Sequence, residues 1–397
     1  MAEHETSKAY AVAILHEVEL GPEIVAYLER IDAIDGAGRV LGEPVVADRD
    51  APACDVSAMD GFATGAAALG AAPLPSGAEA PIGRAPVRHT PGTATRIVTG
   101  APIPEGADVI IKREDVEDHG ASIRVVDPGA HTRGDHIRRR AENLAAGSVV
   151  IEAGCPISPT VAGALASFGR TSVAVFRRVR VGVVVTGDEV ADAAATPTPY
   201  EVRDSHAPAP RTMLGGTPWI ELVALAHVRD ATGALDGTLA AMLPSVDALS
   251  VTAGVSVGAR DLVPQVLEGL GAETLFRGVN QRPGRPTLGA ITTDGTPVFA
   301  LPGNPLSVFV ASRVIAAPVL AHMGGLGADA LAPTLVEIAG SDDRSAPNHW
   351  HRLGRLDGLG RCSPVPMKRS GDIPAAARAT GVRTRWLLDT LDAAYGP

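Results

Sequence analysis

Two arginines lie three residues apart in a loop that is stiffened by proline and glycine. The stretch VNQRPGRPTLG places Arg282 and Arg285 beside Pro283 and Pro286. Guanidinium forks bind tetrahedral oxyanions with two hydrogen bonds at once, and proline limits the entropy that is lost on binding. The loop therefore indicates an oxyanion site. A solvated surface turn of the same composition is an equal alternative at this point.

Three glycine-containing turns follow three short apolar runs in the second half of the chain. The runs are VRVGVVV, DALSV and PVFAL, and each suits a buried strand of a parallel sheet. The carboxyl ends of such strands meet at one sheet edge, where ligands bind. Backbone amides next to glycine favour anions, and hydroxyl groups add donors. The candidates are Thr186, Gly187, Thr252, Gly254, Ser256, Gly258 and Gly303; ordinary tight turns are the alternative.

Carboxylates follow two of these turns, at Asp188, Glu189 and Asp261. Hard oxygen ligands beside a phosphate site suit Mg²⁺, but Asp at the start of a helix also serves as an N-cap. Further upstream, Asp60 lies in DVSAMDGFA and Thr99 in RIVTGAPIPEGADVIIKRE. The residues alone do not decide between capping and a functional site there.

Composition excludes several classes of protein. The 397 residues carry a formal net charge of −10, which argues against a nucleic-acid binder that works by general electrostatics. We predict no membrane span and no signal peptide, and the three widely spaced cysteines argue against a disulfide framework. A cytoplasmic setting is expected. P-loop, GxGxxG and HExxH motifs do not occur in the sequence, so the nucleotide and dinucleotide-redox chemistries that use them lose support.

The elements that position these residues change along the chain. The first fifty residues predict helices, in AYAVAILHEV and EIVAYLERI, and then an extended segment. Short β-like runs from about 57 to 143 predict a β-rich module. SPTVAGALASFG predicts a helix with Ser158 as N-cap and Gly169 after its end. An α/β region follows, with helices predicted over 233–243, 261–270 and 306–322, and the tail predicts a small β domain.

Six motifs occur together in one order. They read SAMDGFA, RIVTGAPIPEGADVI, VVVTGDEV, AGVSVGARD, RPGRP and LPGNPLS. The set resembles the molybdopterin molybdenumtransferase family, which is MoeA-like and related to the E domain of gephyrin. The resemblance extends over nearly the whole chain, from GRVLGEPVVADRDAP at 38 to RSGDIPAAARATGV at 369.

The resemblance implies a multi-domain α/β plus β fold. It implies an elongated four-domain subunit with a central parallel-sheet molybdopterin-binding domain, a β-rich inserted domain and a small C-terminal β domain. The corresponding borders are 1–53 and 144–178 for the elongated linker domain, 54–143 for the inserted domain, 179–328 for the α/β domain and 329–397 for the C-terminal domain.

The resemblance also implies a reaction. Adenylated molybdopterin and molybdate are the substrates, molybdenum enters the dithiolene, AMP leaves, and Mg²⁺ or another divalent ion is required. The subunit is expected to be a homodimer whose active sites are shared between subunits. It would contact the molybdopterin adenylyltransferase and the recipient molybdoenzymes. Binding to nucleic acid or to a membrane is not expected.

Residue roles carry over position by position. Glu189 and Asp261 would be catalytic residues that hold Mg²⁺, and Asp60 and Thr99 would face the site from the partner subunit. Thr186, Asp188, Gly254, Ser256 and Gly258 would bind the adenylate-linked phosphates. The molybdate region would comprise Arg282, Arg285, Pro286, Ser307, Arg352 and Ser370.

Several positions depart from the family pattern. Arg282 and Arg285 replace two lysines, in a chain whose Lys and Arg total 35 but include lysine only at Lys8, Lys112 and Lys368. A basic residue is usual where Gly278 stands. The remaining departures are Asn143 for a carboxylate, His206 for asparagine and Ala253 for glycine. These changes keep an alternative open, a non-catalytic paralogue that binds molybdopterin or molybdate for delivery or sensing. A scaffold is a third reading, and tungstate is not separable from molybdate by sequence.

Overall fold

The computed structural model describes residues 28–70, 73–229, 233–255, 262–327, 348–369, 371–379 and 387–389. The helices predicted before residue 28 lie outside these ranges, as do Ser256, Gly258, Asp261 and Ser370. One predicted helical run is corrected at its end. The last residues of EIVAYLERI begin β1 (Leu28–Asp32), which pairs antiparallel with β12 (Ser172–Phe176). Pairing with a distant strand therefore outweighs the local helical spacing.

The strands between and after these two are, in chain order, β2 (Val45–Val46), β3 (Val56–Ser57), β4 (Gly61–Thr64), β5 (Leu74–Glu79), β6 (Ala94–Ile97), β7 (Val109–Lys112), β8 (Val116–Asp118), β9 (Ser122–Val125), β10 (Ile137–Arg138), β11 (Val149–Ile151), β13 (Val179–Thr186), β14 (Val190–Ala191), β15 (Val202–Arg203), β16 (Ile220–Val228), β17 (Ala248–Thr252), β18 (Glu273–Arg277), β19 (Gln281–Arg282), β20 (Leu288–Ile291), β21 (Pro297–Leu301), β22 (His349–Leu356), β23 (Cys362–Pro364) and β24 (Leu387–Asp389).

The helices are α1 (Pro159–Ser167), α2 (Pro208–Gly215), α3 (Ala234–Met242), α4 (Val263–Gly269), α5 (Pro305–Ala311), a π-helical turn (Ser312–Ala316), α6 (Ala317–Met323) and α7 (Ile373–Ala379). The Ser158 hydroxyl accepts from Val161 N at 3.2 Å, and Gly169 has a φ of +68°. Both ends of the predicted capped helix are therefore confirmed. The helices predicted in the α/β region are present, with α4 beginning later than expected.

The chain forms two compact units. The α/β unit comprises the described parts of 1–43, 153–162 and 171–397, and the β-rich unit comprises those of 44–152 and 163–170. A six-stranded sheet in the order β7-β4-β6-β5-β9-β8 builds the β-rich unit. It contains the predicted runs around 96, 108 and 122, and it encloses small cores around Ile110 and Phe62.

A six-stranded sheet in the order β16-β13-β17-β21-β20-β18 forms the centre of the α/β unit. The first four strands are parallel, which confirms the prediction for the three apolar runs, but β20 runs antiparallel to both of its neighbours, β21 and β18. The sheet is therefore mixed rather than parallel, because a short turn at 292–296 returns the chain from β20 directly into its neighbour β21.

Both faces of this sheet are covered by helices. Val183 belongs to a core cluster with Val308 and Val319, whereas the next residue, Val184, packs in a second cluster with Leu239 and Leu267. Alternate side chains of a strand point to opposite faces, so each face has its own core. The helical run Pro305–Met323 is, within the described residues, long and apolar enough to cross a membrane, but 72% of it is buried inside the unit. It is a core helix.

Candidate functional site

The three glycine-containing turns meet at one edge of the mixed sheet, as predicted. Val185 of β13 is in register with Thr252 of β17, and Thr252 with Leu301 of β21. Because neighbouring parallel strands end together at these positions, the turns that follow them lie side by side. The edge therefore places Thr186, Gly254 and Gly303 in one region.

A buried polar network joins the three strand ends. The Thr186 hydroxyl donates to the Thr252 carbonyl at 3.0 Å, and Thr252 Oγ1 lies 3.5 Å from His206 Nδ1. The same imidazole hydrogen-bonds the Gly303 backbone. Thr186 is 3% exposed, Thr252 0% and His206 6%. We call Thr186, Thr252, His206 and Gly303 the strand-end network; it fixes the turns relative to one another.

Burial lowers the pKa of His206, and this effect outweighs the opposing charges of Asp204 and Glu189. The ring is therefore neutral at pH 7. A neutral imidazole has one donor and one acceptor nitrogen, so it can serve the Thr252 hydroxyl and the Gly303 backbone together.

The turn after β17 has an unusual backbone. Ala253 and Gly254 have φ angles of +72° and +67°. The left-handed region costs an alanine roughly 1–2 kcal/mol, and such strain is often kept at functional sites. Ala253 N donates to the Leu301 carbonyl at 3.0 Å, which holds the strained residue against β21.

The turn after β13 exposes its two carboxylates. Asp188 and Glu189 are exposed, whereas Thr186 and Gly187 are buried. The Glu189 carbonyl accepts from Val202 N at 2.8 Å, so the backbone is fixed while the carboxylate faces solvent. Among the described residues, no group of three or more His, Cys, Asp or Glu could hold a metal by itself.

The arginine loop is closed by its own hydrogen bonds. Val279 N and Thr287 N each donate to the Arg285 carbonyl at 2.8 Å. The Thr287 hydroxyl donates to the Gly284 carbonyl at 2.7 Å. Gly284 has a φ of +99°, and a Cβ there would lie 2.7 Å from Gln281 Nε2, so the loop requires glycine. The predicted rigidity is thus present in the backbone.

This loop lines a cavity of about 910 Å³, which we call the arginine cavity. The loop contributes Gln281, Arg282, Pro283, Gly284, Arg285 and Pro286. The turn after β21 and the start of α5 contribute Pro302, Gly303, Asn304 and Ser307, and the rest of the wall comes from Asn348, Trp350, Met367, Lys368 and Arg369. Because Gly303 belongs to both, the arginine cavity adjoins the strand-end network.

Predicted residues outside the cavity wall also have defined places. Arg352 lies on β22, with its guanidinium carbon 5.0 Å from the centre of the Trp350 ring. In the β-rich unit, Asp60 Oδ1 accepts from Thr99 N at 2.7 Å and from the Thr99 hydroxyl at 2.8 Å. These bonds hold the pKa of Asp60 below its usual value, so an exposed, ionised carboxylate and a threonine form one pair.

Comparison with known proteins is consistent across the chain. Residues 6–169 match the MoeA N-terminal region (domain I and II), and residues 182–322 match a probable molybdopterin binding domain. The chain is 32% identical to the molybdopterin molybdenumtransferase of Bacillus subtilis, covering 87% of this chain and 83% of that one. It is 31% identical to that of a Nostoc species, covering 83% and 78%. The chain belongs to the molybdopterin molybdenumtransferase family.

Solved structures show the same fold. The crystal structure of molybdopterin biosynthesis moeA protein from Pyrococcus horikoshii OT3 superposes with a TM-score of 0.76 at 22% identity, covering 94% of this chain and 93% of that chain. A second crystal structure of the moeA protein from that organism gives 0.70 at 23%, covering 94% and 92%.

Two departures from the molybdopterin molybdenumtransferase pattern have clear structural counterparts. Asn143, in place of a carboxylate, accepts through Oδ1 from Arg138 Nη2 at 2.7 Å, so an amide oxygen occupies the acceptor position. His206, in place of asparagine, is the hub of the strand-end network. Asn143 and His206 each make a polar contact that the usual family residue, a carboxylate or an asparagine, could also make.

A second cavity, of about 890 Å³, lies at the opposite end of the sheet. Its arginines are engaged by carboxylates: Arg177 Nη2 and Arg180 Nη2 each donate to Asp247 Oδ1 at 2.8 Å, and Arg39 pairs with Glu29. Four arginines and four acidic residues line it, so its charges balance. Three of its four arginines therefore belong to an ion-pair network.

Sequence reasoning missed several residues of the site. His206 was noted as a departure but given no role. Lys368 stood out as one of three lysines, and Arg369 precedes the predicted Ser370. The missed wall residues are Gln281, Asn304, Asn348, Trp350, Met367, Lys368 and Arg369.

Proposed function

We propose that this chain inserts molybdenum from molybdate into adenylated molybdopterin and releases AMP. Family membership supports the reaction class. The observation that carries the proposal is the arginine cavity, in which two arginines on a loop closed by hydrogen bonds adjoin the strand-end edge of the mixed sheet. That arrangement suits two anions side by side, one an oxyanion and the other a phosphate.

Molybdate is a doubly charged tetrahedral oxyanion. Arg282 and Arg285 would bind it with paired N–H donors, and the Ser307 hydroxyl and Pro286 would shape the pocket around it. Arg352 and Ser370 would complete the molybdate region, with Arg352 acting behind the Trp350 ring. Because the loop is already closed by hydrogen bonds, binding orders little additional backbone.

The adenylate-linked phosphates would lie along the sheet edge. Thr186, Asp188 and Gly254 provide turn backbone there, and Ser256 and Gly258 would extend the same turn. Amides that are fixed before binding stabilise charge as it develops on the leaving phosphate. Holding molybdate and the dithiolene in adjacent subsites makes the insertion largely a matter of positioning.

The residues present fit a divalent cation of the Mg²⁺ type. Such an ion is commonly held by one or two carboxylates together with substrate phosphates and water, and Glu189 offers one solvent-facing carboxylate at the phosphate edge. Asp261 would be the second. When bound, the ion supplies charge neutralisation at the phosphate bond that breaks; the chain's own part is to hold it beside that bond.

The active form would be a cytoplasmic homodimer. Asp60 and Thr99 of one copy would face the strand-end edge of the other copy, and their mutual hydrogen bonds support a preformed pair. Adenylated molybdopterin would arrive from the molybdopterin adenylyltransferase, and recipient molybdoenzymes would accept the product.

AMP release from adenylated molybdopterin tests the proposal, with the purified chain and with molybdate and Mg²⁺ present or absent. Release that requires both supports the transferase. Tight binding of the adenylate without release under any metal would favour the non-catalytic paralogue, and Asn143→Asp would then be the first reversion to make. A monomer by light scattering would remove the shared-site arrangement.

A further inference from the structure

We propose that Trp350 is a positioning residue for the oxyanion, because its ring lies against the guanidinium group of Arg282 at the wall of the arginine cavity and against that of Arg352 outside the wall. The inference rests on the proposed function, since it takes molybdate as the ligand. It adds a residue that no motif of the sequence pointed to.

Strand pairing brings these side chains together. The arginine loop begins in β19, which pairs in parallel with β22, and the register places Arg282 beside Trp350. Arg352 follows two residues later on β22, so it lies on the same face of that strand as Trp350. Backbone hydrogen bonds between the arginine loop at β19 and strand β22 therefore set the position of the indole.

The ring contacts both cations. The guanidinium carbons lie 5.4 Å from the ring centre for Arg282 and 5.0 Å for Arg352. Both distances are within the roughly 6 Å over which an aromatic ring attracts a cation. Two guanidinium groups near one another repel, and the negative face of an indole offsets part of that repulsion.

Trp350 also lines the cavity together with Arg282, Arg285, Lys368 and Arg369. A ring at this place does two things: it limits the rotamers of the two stacked arginines before the anion arrives, and it covers part of the cavity with an apolar surface. Charged hydrogen bonds strengthen where water is excluded. Removing the ring should therefore weaken oxyanion binding while the charges stay in place.

Molybdate binding to the full chain tests this by equilibrium dialysis. Trp350→Leu should raise the molybdate Kd about tenfold, which is about 1.4 kcal/mol. Trp350→Phe, which keeps a ring, should stay within about threefold of the wild type. In turnover, the KM for molybdate should rise in Trp350→Leu while the KM for adenylated molybdopterin is unchanged.

Fluorescence provides a readout that a purely structural role would not move. The chain has three tryptophans, so the measurement is made in a Trp386→Phe background. Molybdate should change the intrinsic fluorescence of that protein saturably, and adding Trp350→Phe should abolish the change while molybdate still binds. The matched control is Trp219→Phe, a tryptophan buried in the sheet core, which should keep the change.

An unaltered molybdate Kd in a folded Trp350→Leu overturns the inference, as does a fluorescence change that persists in Trp350→Phe. If Trp350→Leu does not fold, Arg352→Lys is the second variant, because it keeps the charge but removes the planar group that stacks on the ring. It should raise the molybdate Kd about threefold. An unchanged Kd in Arg352→Lys would also overturn the inference. No molybdate binding by the wild type would instead overturn the oxyanion assignment of the cavity, and the inference with it.

Discussion

Thr252 Oγ1 lies 3.5 Å from His206 Nδ1, so a histidine from the loop before α2 joins the ends of β17 and β21. The ring reaches Gly303 on its other side, and Gly303 is part of the arginine cavity. The strand-end edge and the arginine cavity are therefore connected through one buried side chain.

His206→Leu should lower kcat/KM by about tenfold or more, because it leaves the Thr252 hydroxyl without its ring acceptor and frees the Gly303 turn. His206→Asn should recover most of the activity, since an amide can both donate and accept. Steady-state AMP release measures both. Equal losses in the two variants would mean that ring volume, and not hydrogen bonding, is what the site requires.

Ala253→Gly should raise the free energy of unfolding by about 1 kcal/mol. Glycine removes the free-energy cost of the left-handed backbone at this position. Its greater conformational entropy in the unfolded chain cancels only part of that stabilisation. Urea unfolding followed by tryptophan fluorescence measures it. The matched control is Ala248→Gly, a fully buried residue of β17, the strand before this turn, which should destabilise the protein. The strain argument is contradicted if Ala253→Gly does not stabilise it.

Replacing both Arg282 and Arg285 with alanine should raise the KM for molybdate about a hundredfold, because two charge-assisted contacts are lost. The KM for adenylated molybdopterin should change much less. Lysine at both positions should leave the site active with weaker molybdate binding. Arg355→Ala, an exposed arginine of β22, is the control. Equal effects on the two substrates would assign the loop to the pterin phosphates.

Glu189→Gln should increase the Mg²⁺ concentration that half-maximal AMP release requires, because the amide is a poorer ligand for a hard cation. The free energy of unfolding should stay within about 0.5 kcal/mol of the wild type, since the side chain is exposed. Glu221→Gln at the opposite end of the sheet is the matched control and should leave the metal requirement unaltered. An unchanged requirement in Glu189→Gln would remove this residue from the metal site.

Asp247→Asn should destabilise the α/β unit by roughly 3 kcal/mol at pH 7, because it breaks a buried ion pair. Burial alone would raise the pKa of Asp247, but hydrogen bonds from Arg177 and Arg180 outweigh it and leave that pKa below 3.8. A carboxylate with a lowered folded pKa stabilises above its unfolded pKa and loses that stabilisation as the pH falls through the folded value.

The difference in stability between the wild type and Asp247→Asn should therefore narrow as the pH falls below about 3.8. Urea midpoints at pH 7 and pH 3 check this. A difference that stays constant over that range would show that the carboxylate stabilises by shape or neutral hydrogen bonds.

The sequence patterns predicted the parallel strands and the capped helix because those features are local. Apolar runs such as VVV in β13 and the Ser158 cap depend on neighbouring residues only. The first strand was predicted as a helix because its partner, β12, lies more than a hundred residues away in the chain. Antiparallel β20 escaped prediction for a similar reason, since strand direction depends on pairing and not on composition.

In the site, too, residues in local motifs were predicted and residues brought in by distant strand pairing were not. Arg282, Arg285 and Ser307 belong to motifs with a clear chemistry, and the structure places all three in one cavity. Trp350 and Lys368 have no local signal, because only the pairing of β19 with β22 and the turn before α7 bring them to the wall. His206 was counted only as a departure from asparagine, because its contacts to Thr252 and Gly303 depend on the packing of distant segments.

The pairing of β19 with β22 has a consequence for modularity. The molybdopterin-binding region that ends at residue 322 carries the arginine loop but not the strand that backs it. A protein built from that region alone would retain the phosphate edge and leave its oxyanion pocket open to solvent on one side. Transplanting this chemistry into another scaffold therefore requires the C-terminal strands to be moved as well, as a single inseparable module.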